Sequence, residues 1–295
     1  MDTWLERQEW LGPIENAAQR AVAAAFRAGG AGGRLLKNVL HGTWLGHPLH
    51  PALVHVPLGA WTTALALDAL DALDERRGGR WRRPADTAIA VGIAGAAGAA
   101  VTGLADWQHV DGPPRRTGMA HAALNTLALG LYVGSLLLRR RGARGAGRAL
   151  SGAGFAVVAA AGYLGARLVY HDRLGVDHAQ REGPDGFTRA AREVEVLEGQ
   201  PHRAEVDGVR VVLIRRHDRI HALGEACSHL GGPLAEGRVD GDAIVCPWHG
   251  SRFALQDGRV LDGPATMPQP CFETRVREGY VEVRRAGCEA VRAAA

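Results

Sequence analysis

Along the first 170 or so residues, apolar and charged positions separate into long blocks. Stretches without Asp, Glu, Lys or Arg cover 48–67, 87–105, 117–138 and 149–166. Each approaches or reaches the length of about 20 residues that a helix needs to cross a hydrocarbon core. Short charged separators stand between them: 71–86 with five Arg, 106–116, and 139–148 with five more. A soluble Ala-rich bundle would need strongly polar residues at every third or fourth position of an outer face, and these blocks hold only scattered Thr, Ser, Asn and His. The pattern predicts four transmembrane helices at about 48–70, 87–105, 117–138 and 149–170, forming a domain over 46–171. Gly92, Gly95, Gly98, Ala99 and Gly103 in the second, and Ala161, Gly162, Gly165 and Ala166 in the fourth, suit close helix–helix approach. Residues 1–45 alternate charge with Ala and Leu and read as a helical, amphipathic region, solvated or lying on the membrane surface.

From Glu193 the rhythm changes. Segments such as HRAEVDGVRVVLIRR and CFETRVREGYVEVRR alternate with period two and are punctuated by Gly, Asp and Pro. This predicts a small all-β, antiparallel domain over 193–288. The polar, Gly- and Pro-containing 172–192 reads as a linker, loose enough to act as a tether. The expected fold is thus an α-helical four-span bundle plus an antiparallel β domain.

Composition adjusts this picture in few places. The chain has 295 residues, a net charge of +4, and basic residues that are nearly all Arg. Four Cys are too few for a disulfide-stapled secreted fold. The acidic start, MDTWLERQEWLG, has no apolar core of a cleavable signal peptide. No surface that interleaves aromatic and basic residues suggests nucleic acid.

Histidines gather at one level of the predicted bundle. His41, His47, His50 and His55 precede or open the first span, His109 follows the second, His121 opens the third, and His171 and His178 follow the fourth. All eight, with both termini and the linker, then fall on one membrane face, and the Arg-rich loops fall on the other. His55 and His121 stand about one turn inside parallel strokes, where they are expected to face one another, with His47 and His50 nearby. Such a pair suits haem b ligation, a quinone headgroup or a bare metal, and equally a structural role bonded to backbone or to Asn125 and Asp106.

The β domain contains CSHLGGPLAEGRVDGDAIVCPWHGSRF. Cys227-x-His229 and Cys246-x-x-His249 each supply one thiolate and one imidazole. Together they can hold a [2Fe–2S] cluster with two sulfurs on one iron and two nitrogens on the other. Gly231, Gly232 and Gly250 leave room for backbone N–H groups to approach the sulfides. Two Cys and two His also suit tetrahedral zinc, although zinc sites commonly open with two Cys rather than Cys-x-His.

Here the chain resembles a known family. Residues 193–285 are similar to a Rieske iron–sulfur domain, through Gly231-Gly232-Pro233-Leu234, Cys246-Pro247-Trp248-His249-Gly250-Ser251-Arg252-Phe253, and a proline-bearing loop of Gly263-Pro264-Ala265 with Pro268 and Pro270. The resemblance implies that Pro264 lies in a loop covering the cluster and that Ser251 bonds to a sulfide. Gly232 and Trp248 stand where respiratory members carry a bridged Cys pair, as in Rieske ferredoxins of oxygenase systems, and Phe253 replaces a tyrosine. A potential between the two classes, within the family range of about −150 to +300 mV, is implied. Cys271 and Cys288 match no ligand. The HPLHPALVHVP run, Asp106 and Ala-His121-Ala-x-x-Asn125 resemble a family of uncharacterised bacterial four-span membrane proteins, some fused to Rieske domains.

The expected function is membrane-anchored electron transfer between the cluster and a quinone or haem near His55 and His121, or a protein donor or acceptor. A ferredoxin-like component of a separate oxygenase, anchored by the membrane half, and a redox sensor are the alternatives. No 2-His-1-carboxylate iron domain follows the cluster motif, so no complete substrate-oxidising site is expected in the chain. The Arg-rich loops point to a multi-pass protein of the cell membrane with the cluster on the extracytoplasmic side.

Overall fold

The computed structural model describes residues 8–73 and 79–286; Cys288 lies outside them. The chain forms two compact units, Met1–Gly29 with Leu49–Leu174, and Gly30–Pro48 with Gly175–Ala295. The α-helices are α1 Gly12–Ala28, α2 Gly30–His41, α3 Leu49–Leu53, α4 His55–Leu73, α5 Arg82–Trp107, α6 Pro113–Arg140 and α7 Arg144–Tyr170.

In the first unit, four stretches are long and apolar enough to span a membrane: Leu49–Leu73, Arg82–Trp107, Pro113–Arg140 and Arg144–Tyr170. The first is interrupted at Val54 because Pro57 has no N–H to give the carbonyl of Leu53. Only 17–28 % of each span's most apolar window is buried. Val56, Leu58, Val91, Val101, Leu127 and Leu137 face outwards. In water this would be an apolar surface beyond what soluble monomers expose, whereas lipid is its matching solvent.

The helices extend further into the charged separators than the apolar blocks predict, because these charges are paired. Arg139 is buried and donates to Asp68, to Asp86 and to the Ser135 and Ser151 hydroxyls. Arg144 bonds to Asp86 and Arg148 to Asp71. At the opposite end of the bundle, α1 is fastened by Arg115, which donates to the fully buried Glu15 at 2.9 Å.

The two hairpins α4–α5 and α6–α7 repeat one another. Buried positions of α4 and α6 correspond at constant spacing: Pro57 with Ala128, Trp61 with Tyr132, Ala64 with Ser135, Asp68 with Arg139. Those of α5 and α7 do the same: Ala85 with Gly147, Ile89 with Ser151, Gly92 with Gly154, Ala99 with Ala161, Thr102 with Leu164. Equivalent side chains meet at the centre. The Trp61 and Tyr132 rings stack with centroids 4.0 Å apart, and Asp68 pairs with Arg139. Close approach explains the glycines, since a Cβ at Gly92 would lie 2.2 Å from the Trp61 indole nitrogen.

Among the described residues the second unit has ten strands: β1 Thr188–Arg192, β2 Pro201–Val206, β3 Val209–Arg216, β4 Arg219–Gly224, β5 Arg238–Asp240, β6 Ala243–Val245, β7 Arg252–Ala254, β8 Val260–Asp262, β9 Cys271–Arg277 and β10 Tyr280–Arg285. They form a six-stranded antiparallel sheet, β1-β10-β9-β4-β3-β2, and a four-stranded one, β5-β6-β7-β8. Two-residue turns at Asp207-Gly208, His217-Asp218 and Glu278-Gly279 have positive φ at both positions, the type I′ geometry that matches strand twist. Strand β3 is buried on both faces. Val211 and Leu213 enter one core with Val281 and Val283. Val212 and Ile214 enter another with Leu234, Ile244, Phe253 and both Cys227 and Cys246. Period two thus divides β3 between the core of the large sheet and the base of the cysteine loops.

Two boundaries differ from the sequence-based expectation. Residues 30–48 fold with the β strands, because α2 is tied there through polar side chains. The expected tether is no loose chain after Gly175: His178 N–H donates to the Ser228 carbonyl, Arg285 N–H to the Pro184 carbonyl, and Gly183 packs on Phe272.

Candidate metal centre

Three connections build the site. The β4–β5 connection carries Cys227 and His229, the β6–β7 connection carries Cys246 and His249, and the β8–β9 connection carries Pro264. The first two are folded alike. Cys227 N–H donates to the Gly232 carbonyl and Cys246 N–H to the Ser251 carbonyl. Gly231 N–H returns to the Cys227 carbonyl and Gly250 N–H to that of Cys246. The matched glycines have φ of +77° and +74°, the left-handed turn each loop needs. Gly232 serves another purpose: a Cβ there would lie 3.0 Å from both the Cys246 sulfur and the Trp248 ring.

The likeness extends to the sulfurs. Cys227 Sγ accepts from the N–H groups of His229 and Leu230, and Cys246 Sγ from those of Trp248 and His249. The Cys246 thiol is lowered to about 7, first by a hydrogen bond from Cys227 and further by these N–H groups, against its burial. Cys227, the donor of that bond and the more buried thiol, is raised. The imidazoles of His229 and His249 lie edge to face with centroids 5.1 Å apart. Burial holds His229 well below the usual histidine range, and His249, His41, His178 and Lys37 add to the effect, so the ring is the neutral form a metal ligand requires.

The donors therefore fall into a sulfur pair and a nitrogen pair. Such a pair of pairs would suit a centre of two irons, with sulfur on one and imidazole nitrogen on the other.

Surrounding groups are ordered by residues of both kinds, expected and missed. Ser251 is fully buried and its hydroxyl oxygen accepts from Ala265 N–H at 2.9 Å, tying the second loop to the Pro264 loop. Phe253 is fully buried among the apolar residues below the loops. Gln269 has no counterpart in the motif reading. Its amide accepts from Ser228 N–H at 2.8 Å and donates to the Gly224 and Ala226 carbonyls. Ser228 in turn donates to the Met267 carbonyl at 2.7 Å. A lone polar residue between Pro268 and Pro270 was its only signal in the sequence. Cys271 opens β9 and packs, partly buried, against the apolar cluster below the loops.

The same chain shows this likeness in comparison with known proteins. The Rieske [2Fe-2S] domain family matches residues 187–273. Ferredoxin CarAc of Metapseudomonas resinovorans is 37% identical over 78 residues, 26% of this chain and 73% of that protein. The chain belongs to the Rieske [2Fe–2S] family. Its first half matches the family described as Predicted membrane protein (DUF2231), over residues 46–178. Apoptosis-inducing factor 3 of Homo sapiens is 32% identical over 114 residues, 38% of this chain, which spans only 19% of that relative's length. Among solved structures, the complex of reduced oxygenase and oxidized ferredoxin in carbazole 1,9a-dioxygenase matches with a TM-score of 0.32 and 31% identity, covering 34% of this chain and 94% of that one. This Rieske protein is therefore a multi-pass membrane protein with an electron-transfer domain that carries a [2Fe–2S] cluster.

The membrane histidines are arranged differently from expectation. His121 meets His50, not His55, with ring centroids 6.4 Å apart. His55 is exposed beyond the break at Val54 and its Nδ1 donates to the Ala52 carbonyl of the preceding turn. His47 is exposed in the other unit, beside its neighbour's carbonyl. His50 and His121 are equivalent in the repeat: each donates Nδ1–H at 2.8 Å to a neighbouring helix, at Ala99 and Ala161, and each lies over a glycine, Gly103 and Gly165. Nε2 of His121 accepts from Asn125 at 3.2 Å. With both its ring nitrogens engaged, His121 is a helix–helix fastener, and the His55–His121 haem pair has no geometric basis.

Proposed function

We propose that this Rieske protein is a membrane-anchored one-electron carrier in which Cys227 and Cys246 ligate one iron, and His229 and His249 the other. The carrying observation is the sorting of donors into a sulfur pair and a nitrogen pair on two like-folded loops. Bound there, a cluster would supply one-electron redox chemistry. The protein's part is to hold the ligands, supply N–H groups to the sulfurs, and exclude water with the Pro264 loop. A membrane quinone or a membrane redox protein is the proposed electron partner.

The test is an electron paramagnetic resonance spectrum of the dithionite-reduced full chain in lipid, with quinol and quinone added in turn. A Rieske-type signal that quinol generates and quinone removes supports the reading. A lone zinc, or a Rieske signal indifferent to membrane carriers, overturns it. The likeness to Ferredoxin CarAc favours one second reading, service to a separate oxygenase. That reading predicts reduction by a soluble reductase and no response to quinol.

We place the cluster on the extracytoplasmic face by the positive-inside rule, which counts Arg whether or not it is paired. Cysteine labelling at an exposed position introduced in the β9–β10 turn, in intact cells, distinguishes the two faces.

A further inference from the structure

Helix α2 sits beside the cluster loops with its chemistry reversed. Its apolar Leu35, Leu36 and Val39 are exposed, whereas Lys37 and Asn38 are partly covered and His41 is buried. A helix that merely filled space would turn these faces round, because covering polar groups costs more than covering apolar ones. The covered groups instead make specific bonds. The Asn38 amide donates to the Asp262 carboxylate at 2.9 Å, and its oxygen accepts from Gly263 N–H at 3.0 Å. One side chain thus grips two successive residues just before Pro264. Thr43 packs against Gly263, where an added Cβ would lie 3.0 Å from its methyl group. Asp262 also accepts from Arg252, next to Ser251 in the second ligand loop.

We propose that Asn38 is a positioning residue of the iron–sulfur centre: it fixes the loop that carries Pro264. This rests on the ligand assignment given above. It also makes α2, which precedes the membrane spans in the chain, a working part of the Rieske domain.

The test uses the full chain in lipid nanodiscs and electron paramagnetic resonance, which reads only loaded centres. Asn38→Ala broadens the spectrum and speeds loss of iron to a chelator several-fold. An unchanged spectrum and chelation rate in Asn38→Ala overturn the clamp. A wild-type protein without a Rieske spectrum refutes the ligand assignment itself, an outcome separate from the others.

Discussion

Replacing Arg139 by Met tests how the bundle is closed at its Arg-rich end. The guanidinium is wholly buried, bonded to both oxygens of Asp68, and bonded further to Asp86, Ser135 and Ser151. Met removes the charge and leaves Asp68, itself 7 % exposed at the side chain, with Arg148 at 3.8 Å as its remaining cation. Stranding a buried charge in this way costs about 3–5 kcal/mol. Removing both charges is a different perturbation. In Asp68→Leu with Arg139→Leu, no carboxylate is stranded, Asp86 keeps Arg144, and the Ser135 and Ser151 hydroxyls keep each other at 2.7 Å. The double variant should therefore recover about 3 kcal/mol relative to the sum of the single losses. The exchange Asp68→Arg with Arg139→Asp should recover less. The new arginine meets Ala64 and Ile89 where the native one meets Ser135 and Ser151, so it loses two charge-assisted hydrogen bonds, each about 1.5–3 kcal/mol. Reversible unfolding in mixed micelles, titrated with a denaturing detergent, measures these variants, the two single leucine variants and the wild type. Strict additivity of the two leucine substitutions would refute the reasoning.

Three further outcomes follow from particular groups. Gly232→Ala should lower iron per chain and cost about 1–3 kcal/mol by overpacking against Cys246 and Trp248. Gly250→Ala, with open space but positive φ, should cost only about 1–2 kcal/mol of backbone strain and retain more iron; the reverse order in an iron assay would be contrary to the packing argument. Burial and Asp257 push the Cys271 thiol up to about 12, so its native alkylation at pH 8 should run roughly 10³-fold slower than a free thiol, and a normal rate in a mass-spectrometric time course would contradict this. Partial burial holds the half-buried His221 ring below the usual range, so the unfolded chain binds the extra proton and stability should fall as pH drops below about 6.5. His221→Gln should flatten that part of a urea-midpoint profile between pH 5 and 7.5, and an unchanged slope would exclude the residue.

Legibility in the sequence followed the range of the interactions. The four spans and the period-two strands were readable because each rests on local pattern, and the two Cys/His loops because their residue types recur at short spacing. What escaped depends on distant partners. Nothing local marks Asn38 as a ligand of the Gly263 backbone, more than two hundred residues away. His55 was preferred over His50 on depth alone, since the break at Val54 follows from two nearby prolines whose effect on facing is tertiary. The helical repeat was present in the letters, as His50, Trp61 and Asp68 against His121, Tyr132 and Arg139 at equal spacings. It is hidden because many of the paired residues are unlike, Trp61 with Tyr132 and Asp68 with Arg139 among them, and their shared burial reveals the match.

That unlikeness has a consequence for how the four spans could have arisen. A single ancestral hairpin associating with its own copy would put identical groups at the centre, carboxylate against carboxylate or guanidinium against guanidinium. Within one polypeptide the halves need not be alike, and Asp68 opposite Arg139 gives each a charge that the other half answers. The pairing thereby discriminates against assembly of two like halves from neighbouring molecules, and makes the joined chain its own obligatory mate.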